Sequence, residues 1–529
     1  MNIKFLGATR TVTGSAYYLD TPRLKLLVDC GMFQGNRKLQ ERNTLAHFPS
    51  PKDIPYLLLT HAHIDHCGLI PLLVKKGFCG KILATEATCD LCEIMLKDSA
   101  HVQQMDAEWQ NRKNLRAGKG QLEPLYNLKD VDCALKFFSP IRYDQMIDLT
   151  PEAQVMFRDA GHILGSAIIE FWWKDKDDKL KVVFSGDIGN WKQPIIRDPS
   201  SIEEADFLLI ESTYGNRLHK SFEDTEKELM EIVNQAIRDQ EKVIIPAFAI
   251  ERTQDMIYTL GNLSRQGQLP LIPIYIDSPL ATAATEVFKR YPGYFDDESR
   301  IILQNGKSPL DIPGLRFTRT SEESKKINEK KEAAIVISAS GMCEAGRIKH
   351  HLKHNLWRPN AHIVFTGYQA VGTLGREIIE GKKVVVIFGE EVLVKANIHT
   401  LGGFSAHADQ KGLLKWLSSF KNPLVKVFVV HGDEKISLEF AEVIKERFKF
   451  DVLVPQWKEV FELKRWEKVP LPMEYEGIFD SLNLLERNLQ ELRKRVIEKE
   501  WGGREEKRER ILKKLKKLNS DLEKVLRSS

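Results

Sequence analysis

Cysteine is scarce in this sequence. The chain of 529 residues has seven cysteines, an odd number scattered along its length, at Cys30, Cys67, Cys79, Cys89, Cys92, Cys133 and Cys343. Such a set argues against a disulfide-rich secreted scaffold and fits reduced thiols. The close pair Cys89 and Cys92 would need a second pair of ligands to bind a structural metal, and none is obvious. We therefore interpret both as ordinary helix residues.

Long apolar runs and an excess of charge are also absent. No run reaches about 18 residues, the length that a membrane-spanning helix needs. The first residues enter a strand-like pattern at once, without the features of a signal peptide. We expect no membrane segment and a cytoplasmic location. The net charge of +4 is nearly balanced, so it neither requires nor excludes a nucleic-acid partner.

What the chain does have is a dense loop of metal-binding side chains. His61, His63, Asp65 and His66 lie within six residues of one another. They follow an apolar run at 56–59 that predicts a buried strand. Imidazole and carboxylate groups suit zinc, and a hydrolytic zinc site keeps one position for water. Neighbouring loop residues point apart, so the loop can serve two ions, but it cannot complete two coordination shells alone.

Other candidate ligands lie at the ends of further predicted strands: Asp29, His162, Asp187, Glu211 and His431. Any one of them alone is a weak signal, since a lone histidine at a strand end more often caps or packs. Together with the loop they predict a metal site at one edge of a β-rich, sandwich-like fold.

The pattern changes near residue 212. Predicted helices alternate from there with the apolar runs 243–247, 272–277, 334–338 and 363–366. This alternation predicts a parallel α/β sheet whose strands are buried on both faces. A chain of this length and pattern should form at least two domains.

The motifs resemble those of a known family. The loop at 61–66 is similar to the HxHxDH motif of the metallo-β-lactamase fold, and Asp29, His162 and Asp187 match other motifs of that superfamily in order. The resemblance covers roughly residues 1–470.

Three further motifs resemble those of the β-CASP nucleases, which include ribonuclease J and the endonuclease of the polyadenylation machinery. They are Glu211 in Glu-Ser-Thr-Tyr-Gly, His407 in Phe-Ser-Ala-His-Ala-Asp and His431 in Val-His-Gly-Asp-Glu. The histidine at position 431, rather than another residue, favours the RNA-directed branch of that family.

The resemblance implies an α/β fold, a metallo-β-lactamase αββα sandwich with an inserted α/β domain. The sandwich would comprise residues 1–211 and 396–470, and the β-CASP cap domain residues 212–395. Residues 471–529 lie outside the resemblance. Their leucines recur at heptad-like spacing, which predicts a helical, hairpin-like tail. We expect this tail to support a homodimer or to dock on its own chain, rather than to bind RNA.

The resemblance also implies the roles of the site residues. One zinc ion would be held by His61, His63, His162 and Asp187. The second would be held by Asp65, His66, Asp187 and His431, so that Asp187 bridges the two ions. Asp29 would orient a ligand histidine. His407 would donate a proton to the leaving oxygen and Glu211 would keep it protonated; the alternative is that His407 only packs.

Three residues are candidate contacts for substrate phosphate: Ser405, Ser340 and Arg252. Each lies near a turn or the start of a helix, where an ordinary turn or cap is an equally good interpretation.

The function implied is that of a zinc-dependent ribonuclease on single-stranded RNA, acting as an endonuclease, a 5′-3′ exonuclease or both. It would leave a 5′-phosphate and a 3′-hydroxyl. A small-molecule metallo-hydrolase, a DNA nuclease and a catalytically silent scaffold are the alternatives.

Overall fold

The structure of this protein is a computed structural model that describes residues 1–464, apart from 176–177, 371 and 422–425, together with Lys517. Residues Met1–Lys464 form one compact unit. The predicted helical tail, and the dimerisation assigned to it, lie outside the described residues. Strands and helices are numbered below in chain order.

The first sheet has seven strands in the order β22-β1-β2-β3-β4-β5-β6. They are β1 (Asn2–Phe5), β2 (Tyr17–Asp20), β3 (Lys25–Val28), β4 (Tyr56–Leu58), β5 (Lys81–Thr85), β6 (Phe138–Ile141) and β22 (Val460–Glu462). The strands β3 to β6 run parallel, and the others pair antiparallel.

The second sheet also has seven strands, in the order β21-β20-β11-β10-β9-β8-β7. They are β7 (Ile147–Thr150), β8 (Ala153–Asp159), β9 (Ala167–Asp175), β10 (Asp178–Phe184), β11 (Phe207–Glu211), β20 (Lys426–Val430) and β21 (Asp451–Leu453). The strands β10, β11, β20 and β21 are parallel.

Helices cover the outer sides of these sheets and alternate with the strands of the insertion. They are α1 (Arg37–Gln40), α2 (Ile64–Cys67), α3 (Ile70–Lys75), α4 (Glu86–Arg116), α5 (Leu128–Leu135), α6 (Phe222–Arg238), α7 (Arg252–Arg265), α8 (Pro279–Arg290), α9 (Asp297–Gln304), α10 (Ser321–Glu329), α11 (Ile348–Asn355), α12 (Leu374–Ile379), α13 (Gln410–Leu417) and α14 (Glu434–Phe448).

The two sheets pack face to face through apolar side chains. Phe5 of β1 and Phe428 of β20 have ring centroids 5.2 Å apart, and Phe157, Phe171 and Phe184 are buried in the same cluster. Helices α3 to α5 bury apolar residues against the first sheet, and α13 and α14 do so against the second. The layers are therefore helix, sheet, sheet, helix, and the predicted fold class is confirmed.

The insertion contains a third sheet with the order β14-β13-β15-β12-β16-β19, in which all pairs are parallel. Its strands are β12 (Lys242–Pro246), β13 (Ile274–Ile276), β14 (Leu315–Phe317), β15 (Ala334–Ser338), β16 (His362–Phe365) and β19 (Asn397–Thr400), and a separate hairpin pairs β17 (Val384–Ile387) with β18 (Glu390–Leu393). The strand β19 lies beyond the predicted domain boundary at 395, and the domain boundaries stay a prediction.

The insertion packs on the sandwich along helix α4. The hydroxyl of Tyr291 donates to Asp90 of α4 over 2.9 Å, and Phe295 forms an isolated bridge with Ile196. Thr85 caps helix α4 at its start, and the helix continues for 31 residues to Arg116.

Within the described residues, no helix combines the length and apolar character that crossing a bilayer requires. The cytoplasmic location stays a prediction.

A buried carboxylate ties the elements of the insertion together. Asp277, which is fully buried, accepts hydrogen bonds from Ser324 over 2.6 Å and from Arg347 over 2.7 Å, and its Oδ2 lies 2.6 Å from His351 Nε2. Burial would raise the pKa of Asp277, but the hydrogen bonds from His351, Ser324 and Thr318 outweigh burial and lower the pKa.

We expect Asp277→Ala to lower the free energy of unfolding by about 3 kcal/mol, because His351 and Arg347 lose their buried partner. This stabilisation should be present above about pH 4, the ordinary range of the unfolded carboxyl, and be lost as the pH falls below it. Urea unfolding followed by fluorescence measures the effect. Glu390→Ala, which breaks the exposed pair with Lys353, is the control and should cost under about 1 kcal/mol. Equal losses in the two variants would contradict the role of Asp277.

Candidate active site

The candidate site lies where parallel strands of both sheets end. The carboxyl ends of β3, β4, β10 and β20 precede Asp29, His61, Asp187 and His431, respectively. Glu211 is the last residue of β11, and the β8–β9 connection carries His162. Parallel strands have their carboxyl ends at the same edge, so residues far apart in sequence meet there. Two of them, Asp29 and His431, have positive φ angles of 60° and 48°. Such angles are uncommon outside glycine and are found at sites where the surroundings fix the backbone.

A first cluster contains His61, His63, His162 and Asp187. The ring nitrogen Nε2 of His61 lies 3.1 Å from Nδ1 of His63, and His63 Nδ1 lies 3.3 Å from His162 Nε2. Oδ2 of Asp187 is 3.5 Å from both His61 Nε2 and His162 Nε2. All four predicted members are therefore brought together.

A second cluster contains Asp65, His66 and His431, and it adjoins Asp187. The Nε2 atoms of His66 and His431 are 3.2 Å apart, and Asp65 Oδ2 lies 3.5 Å from His431 Nε2. Asp187 contacts this cluster too, since its Oδ2 is 3.5 Å from His66 and its Oδ1 is 3.4 Å from His431. Asp187 is thus placed between the two clusters.

Asp29 holds one ring of the second cluster in position. Its Oδ2 lies 2.7 Å from Nδ1 of His66 and accepts a hydrogen bond from Ser15 over 2.9 Å. Its Oδ1 accepts from both the backbone and the hydroxyl of Thr60. A carboxylate in this place fixes the tautomer of His66 and directs its Nε2 toward His431 and Asp187.

The protonation states of the first cluster suit metal binding. Burial lowers the pKa of His63 to about 4 and lowers the pKa values of His61 and His162 well below their usual range. Burial would raise the pKa of Asp187, but the surrounding histidines, His431 first, lower it well below its usual range. Neutral imidazoles and an ionised carboxylate are the forms that bind divalent metals.

The distances within the clusters also fit zinc. Ligand atoms around a tetrahedral zinc ion, at bond lengths of 2.0–2.1 Å, stand about 3.3–3.4 Å apart. The separations of 3.1–3.5 Å between ligand atoms of the first cluster fall around this value. Ring nitrogens of His61, His63 and His162 face one another in a buried place, and Oδ1 of Asp187 beside them has no hydrogen-bond partner among the described residues. The residues present therefore fit a metal ion.

His407 and Glu211 form a pair beside the first cluster. His407 Nδ1 is 3.2 Å from Glu211 Oε1, and its ring centroid is 4.5 Å from that of His162. Glu211 is fully buried, and its carboxylate also accepts hydrogen bonds from the backbone of Ile188 and Thr213. Burial would lower the pKa of His407, but the charge of Glu211, its hydrogen bond and the charge of Asp187 raise it to about 9. His407 is therefore held as an imidazolium in the metal-free protein.

The three candidate phosphate contacts have different surroundings. Ser405 is buried, and its backbone carbonyl accepts from Gln193 over 2.6 Å. The hydroxyl of Ser340 accepts the backbone N–H groups of Glu344 and Ala345, so it caps its own turn. Arg252 is buried and donates to Asp255 over 3.1 Å. Their phosphate contacts stay predictions.

Three residues that support the site were not predicted from the sequence. Ser15 and Thr60 bind Asp29, and the hydroxyl of Thr213 lies 3.2 Å from His431 Nδ1. Thr60 and Thr213 could have been suspected, because each adjoins a strand end that carries a candidate ligand. Ser15 lies in a polar turn that contains several similar residues, and only the fold distinguishes it.

Family models match most of the chain. Residues 9–247 match the metallo-beta-lactamase superfamily, residues 253–378 the Beta-Casp domain, and residues 391–455 a Zn-dependent metallo-hydrolase RNA specificity domain. Together with the sandwich and its cluster of histidines, these matches define a metallo-hydrolase of the metallo-β-lactamase fold.

Similar proteins narrow this class. Ribonuclease TTHA0252 of Thermus thermophilus is 39% identical over 84% of this chain and 96% of its own length. The RNase J-like protein of Methanocaldococcus jannaschii is 31% identical over 86% and 97%, respectively. Transcription termination factor FttA of the same organism is 30% identical over 88% and 72%. The chain belongs to the β-CASP family, and the predicted family is confirmed.

Proposed function

We propose that this protein is a zinc-dependent ribonuclease that hydrolyses phosphodiester bonds of single-stranded RNA and leaves a 5′-phosphate and a 3′-hydroxyl. The observation that favours this function is the His407–Glu211 pair, which lies against the metal-binding cluster with its Nδ1 atom 3.9 Å from Asp187 Oδ2. A hydrolase whose substrate has a good leaving group needs no proton donor beside the metal site. Cleavage of RNA does need one, because the ribose oxygen is a poor leaving group.

Two zinc ions are proposed, because two groups of ligands share Asp187. His61, His63 and His162 would hold one ion with Asp187, and Asp65, His66 and His431 the other with the same carboxylate. When bound, such a pair stabilises negative charge on a phosphodiester and makes water available as a nucleophile near neutral pH.

The residues of the chain supply the remaining chemistry. Asp29 orients His66, and the loop holds Nε2 of His61 and of His66 toward the carboxylate of Asp187. Glu211 binds Nδ1 of His407 and leaves Nε2 as the atom that can give a proton to the leaving 3′-oxygen. The side chain of His407 is 20% exposed, so this proton is within reach of a substrate.

Two observations support RNA as the substrate. The region matched by the RNA specificity domain, residues 391–455, contains both His407 and His431. Two of the relatives described above are named as ribonucleases.

We propose that Arg252 contacts a substrate phosphate, because it lies in the insertion close enough to Tyr214 and His219 for its charge to act on both.

We expect the zinc-loaded protein to cleave unstructured RNA, to spare the same sequence in single-stranded DNA, and to lose activity with a chelator. The substrate is one RNA, labelled at its 3′ end, that carries either a 5′-monophosphate or a 5′-triphosphate. Sizing the products separates internal cleavage, which ignores the 5′ group, from 5′-3′ degradation, which requires the monophosphate.

Metal content by mass spectrometry should be close to two zinc ions per chain. Cleavage of DNA at the same rate, or of a lactone or thioester but not RNA, would instead support one of the alternative functions. Full activity after complete removal of metal would contradict the metal-dependent mechanism.

A further inference from the structure

Glu251 is a buried acid at the point where the insertion meets the metal site. It lies between strand β12 and helix α7 and is 1% exposed. It belongs to neither metal cluster and has no role in the steps described above. Burial, and next the neighbouring carboxylate of Asp255, raise the pKa of Glu251 well above its usual range. A side chain that is costly to bury in this way needs a reason to be there.

The backbone of Glu251 is strained as well. Its φ and ψ angles are 71° and −65°, and the N–H of Arg252 donates to the carbonyl of Ile250 over 3.1 Å. This is the γ-turn of positive φ, a rare conformation that only glycine adopts without cost. Strain of this kind persists where surrounding contacts fix the residue, and strained residues concentrate at functional sites.

The contact that fixes the side chain leads to the metal site. Oε2 of Glu251 accepts the backbone N–H of Leu164 over 3.1 Å. Leu164 lies two residues after His162 in the loop between β8 and β9. The hydroxyl of Ser166 accepts the preceding two N–H groups, those of His162 and Ile163, over 3.0 and 3.2 Å. Three consecutive N–H groups of this loop are therefore bound, two from within the loop and one from the insertion.

The same turn leads into helix α7 at Arg252. Glu251 is followed directly by Arg252, whose guanidinium donates to Asp255 over 3.1 Å. Its positive charge reaches Tyr214 and His219, and His219 Nε2 lies 3.0 Å from the backbone carbonyl of His407. Glu251 therefore contacts the loop of His162, while the charge of the next residue acts on His219, which lies beside His407.

We propose that Glu251 is a positioning residue of the metal centre: by accepting the N–H of Leu164 it fixes the loop that presents His162, and so joins the insertion to the metal site. This role rests on the proposed metal-dependent function. It acts through the backbone of the loop, so Glu251 contacts neither metal nor substrate. Residues that orient a ligand from outside typically contribute about 10–100-fold to metal affinity or activity.

The test compares Glu251→Gly with Glu251→Gln in the full chain. Glycine removes the acceptor and also relieves the strain of the turn, so the metal-free protein should keep its melting temperature within about 3 °C. Glutamine keeps an oxygen that can accept the N–H of Leu164 at the same backbone angles. We expect the glycine variant to lose about 10–100-fold in zinc affinity, measured by competition with a chelator, and the glutamine variant to stay within about threefold of the parent protein.

Gln254→Ala is the matched control. Gln254 is fully buried in helix α7 and donates within the insertion, to Thr285 over 2.9 Å and to the carbonyl of Ala249 over 3.2 Å. Its loss should lower the melting temperature and leave zinc affinity unchanged.

Unchanged zinc affinity in Glu251→Gly, or an equal loss in Glu251→Gln, would overturn the positioning role. A fall of zinc affinity in Gln254→Ala to match Glu251→Gly would overturn it too, because any disturbance of the insertion would then suffice. Since zinc affinity is read without substrate, a parent protein that binds zinc but cleaves no RNA would refute the proposed ribonuclease and leave this comparison valid.

Discussion

Asp187→Ala should lose bound zinc and RNA cleavage together. The oxygens of Asp187 lie 3.4–3.5 Å from ring nitrogens of both clusters, those of His61, His66, His162 and His431. Removing the shared carboxylate takes a ligand from each ion. It also removes the negative charge that lies beside the four imidazoles. We expect zinc content to fall from about two ions per chain to one or fewer. RNA cleavage should fall by at least about 10³-fold. This loss corresponds to about 4 kcal/mol of transition-state stabilisation.

Metal content and kcat/KM on one RNA, measured on the same preparations, test this expectation. Asp277→Ala is the control, because it also removes a fully buried aspartate that lies beside a histidine. That variant should be less stable and still bind two zinc ions at a temperature where it is folded. Asp187→Ala with full zinc occupancy would show that the carboxylate does not bridge the ions. Equal loss of zinc in Asp277→Ala would reduce the result to general unfolding.

The two clusters of candidate ligands could be predicted because their members lie at strand ends or in the loops that follow strands. A run of apolar residues followed by a histidine or an aspartate is visible in the sequence, and parallel strands bring such ends to one edge. His66 and His431 are 365 positions apart, yet their Nε2 atoms stand 3.2 Å from each other. No spacing rule predicts that distance, and the resemblance to a family was needed to pair them.

Other features depend on three-dimensional contacts that a sequence pattern does not contain. No motif marks the segment after residue 111, which continues α4 to Arg116 and later forms α5, a helix that begins with a capping box of Asn127 and Asp130. The proposed role of Glu251 could not be predicted from the sequence. It depends on a backbone angle and on a hydrogen bond from the N–H of Leu164, 87 residues away. Helix ends and contacts between domains of this kind depend on the whole fold rather than on the preferences of neighbouring residues.

His407→Ala should retain zinc and lose most RNA cleavage. His407 contacts Asp187 only at 3.9 Å and belongs to neither four-ligand group, so its removal leaves the metal ligands in place. A positioned proton donor contributes about 10²–10⁴-fold to a reaction whose leaving group is poor. We expect kcat on RNA to fall by about that factor with zinc near two ions per chain. Glu211→Gln should cause a smaller loss, because a neutral amide can still accept from Nδ1 but no longer favours the charged imidazole.

A substrate with a better leaving group separates proton donation from a packing role. Uridine 5′-(p-nitrophenyl phosphate) releases p-nitrophenolate, which leaves as a stable anion, and keeps the 5′-phosphate on the nucleoside. If His407 donates a proton to the leaving oxygen, His407→Ala should cleave this ester within about threefold of the parent protein while it fails on RNA. If His407 only packs against Glu211 and His162, the variant should lose activity equally on both substrates, because the same damaged site would act on each. The ratio of the two rates, rather than either rate alone, therefore decides whether the pair beside the metal cluster is what makes this metallo-hydrolase a ribonuclease.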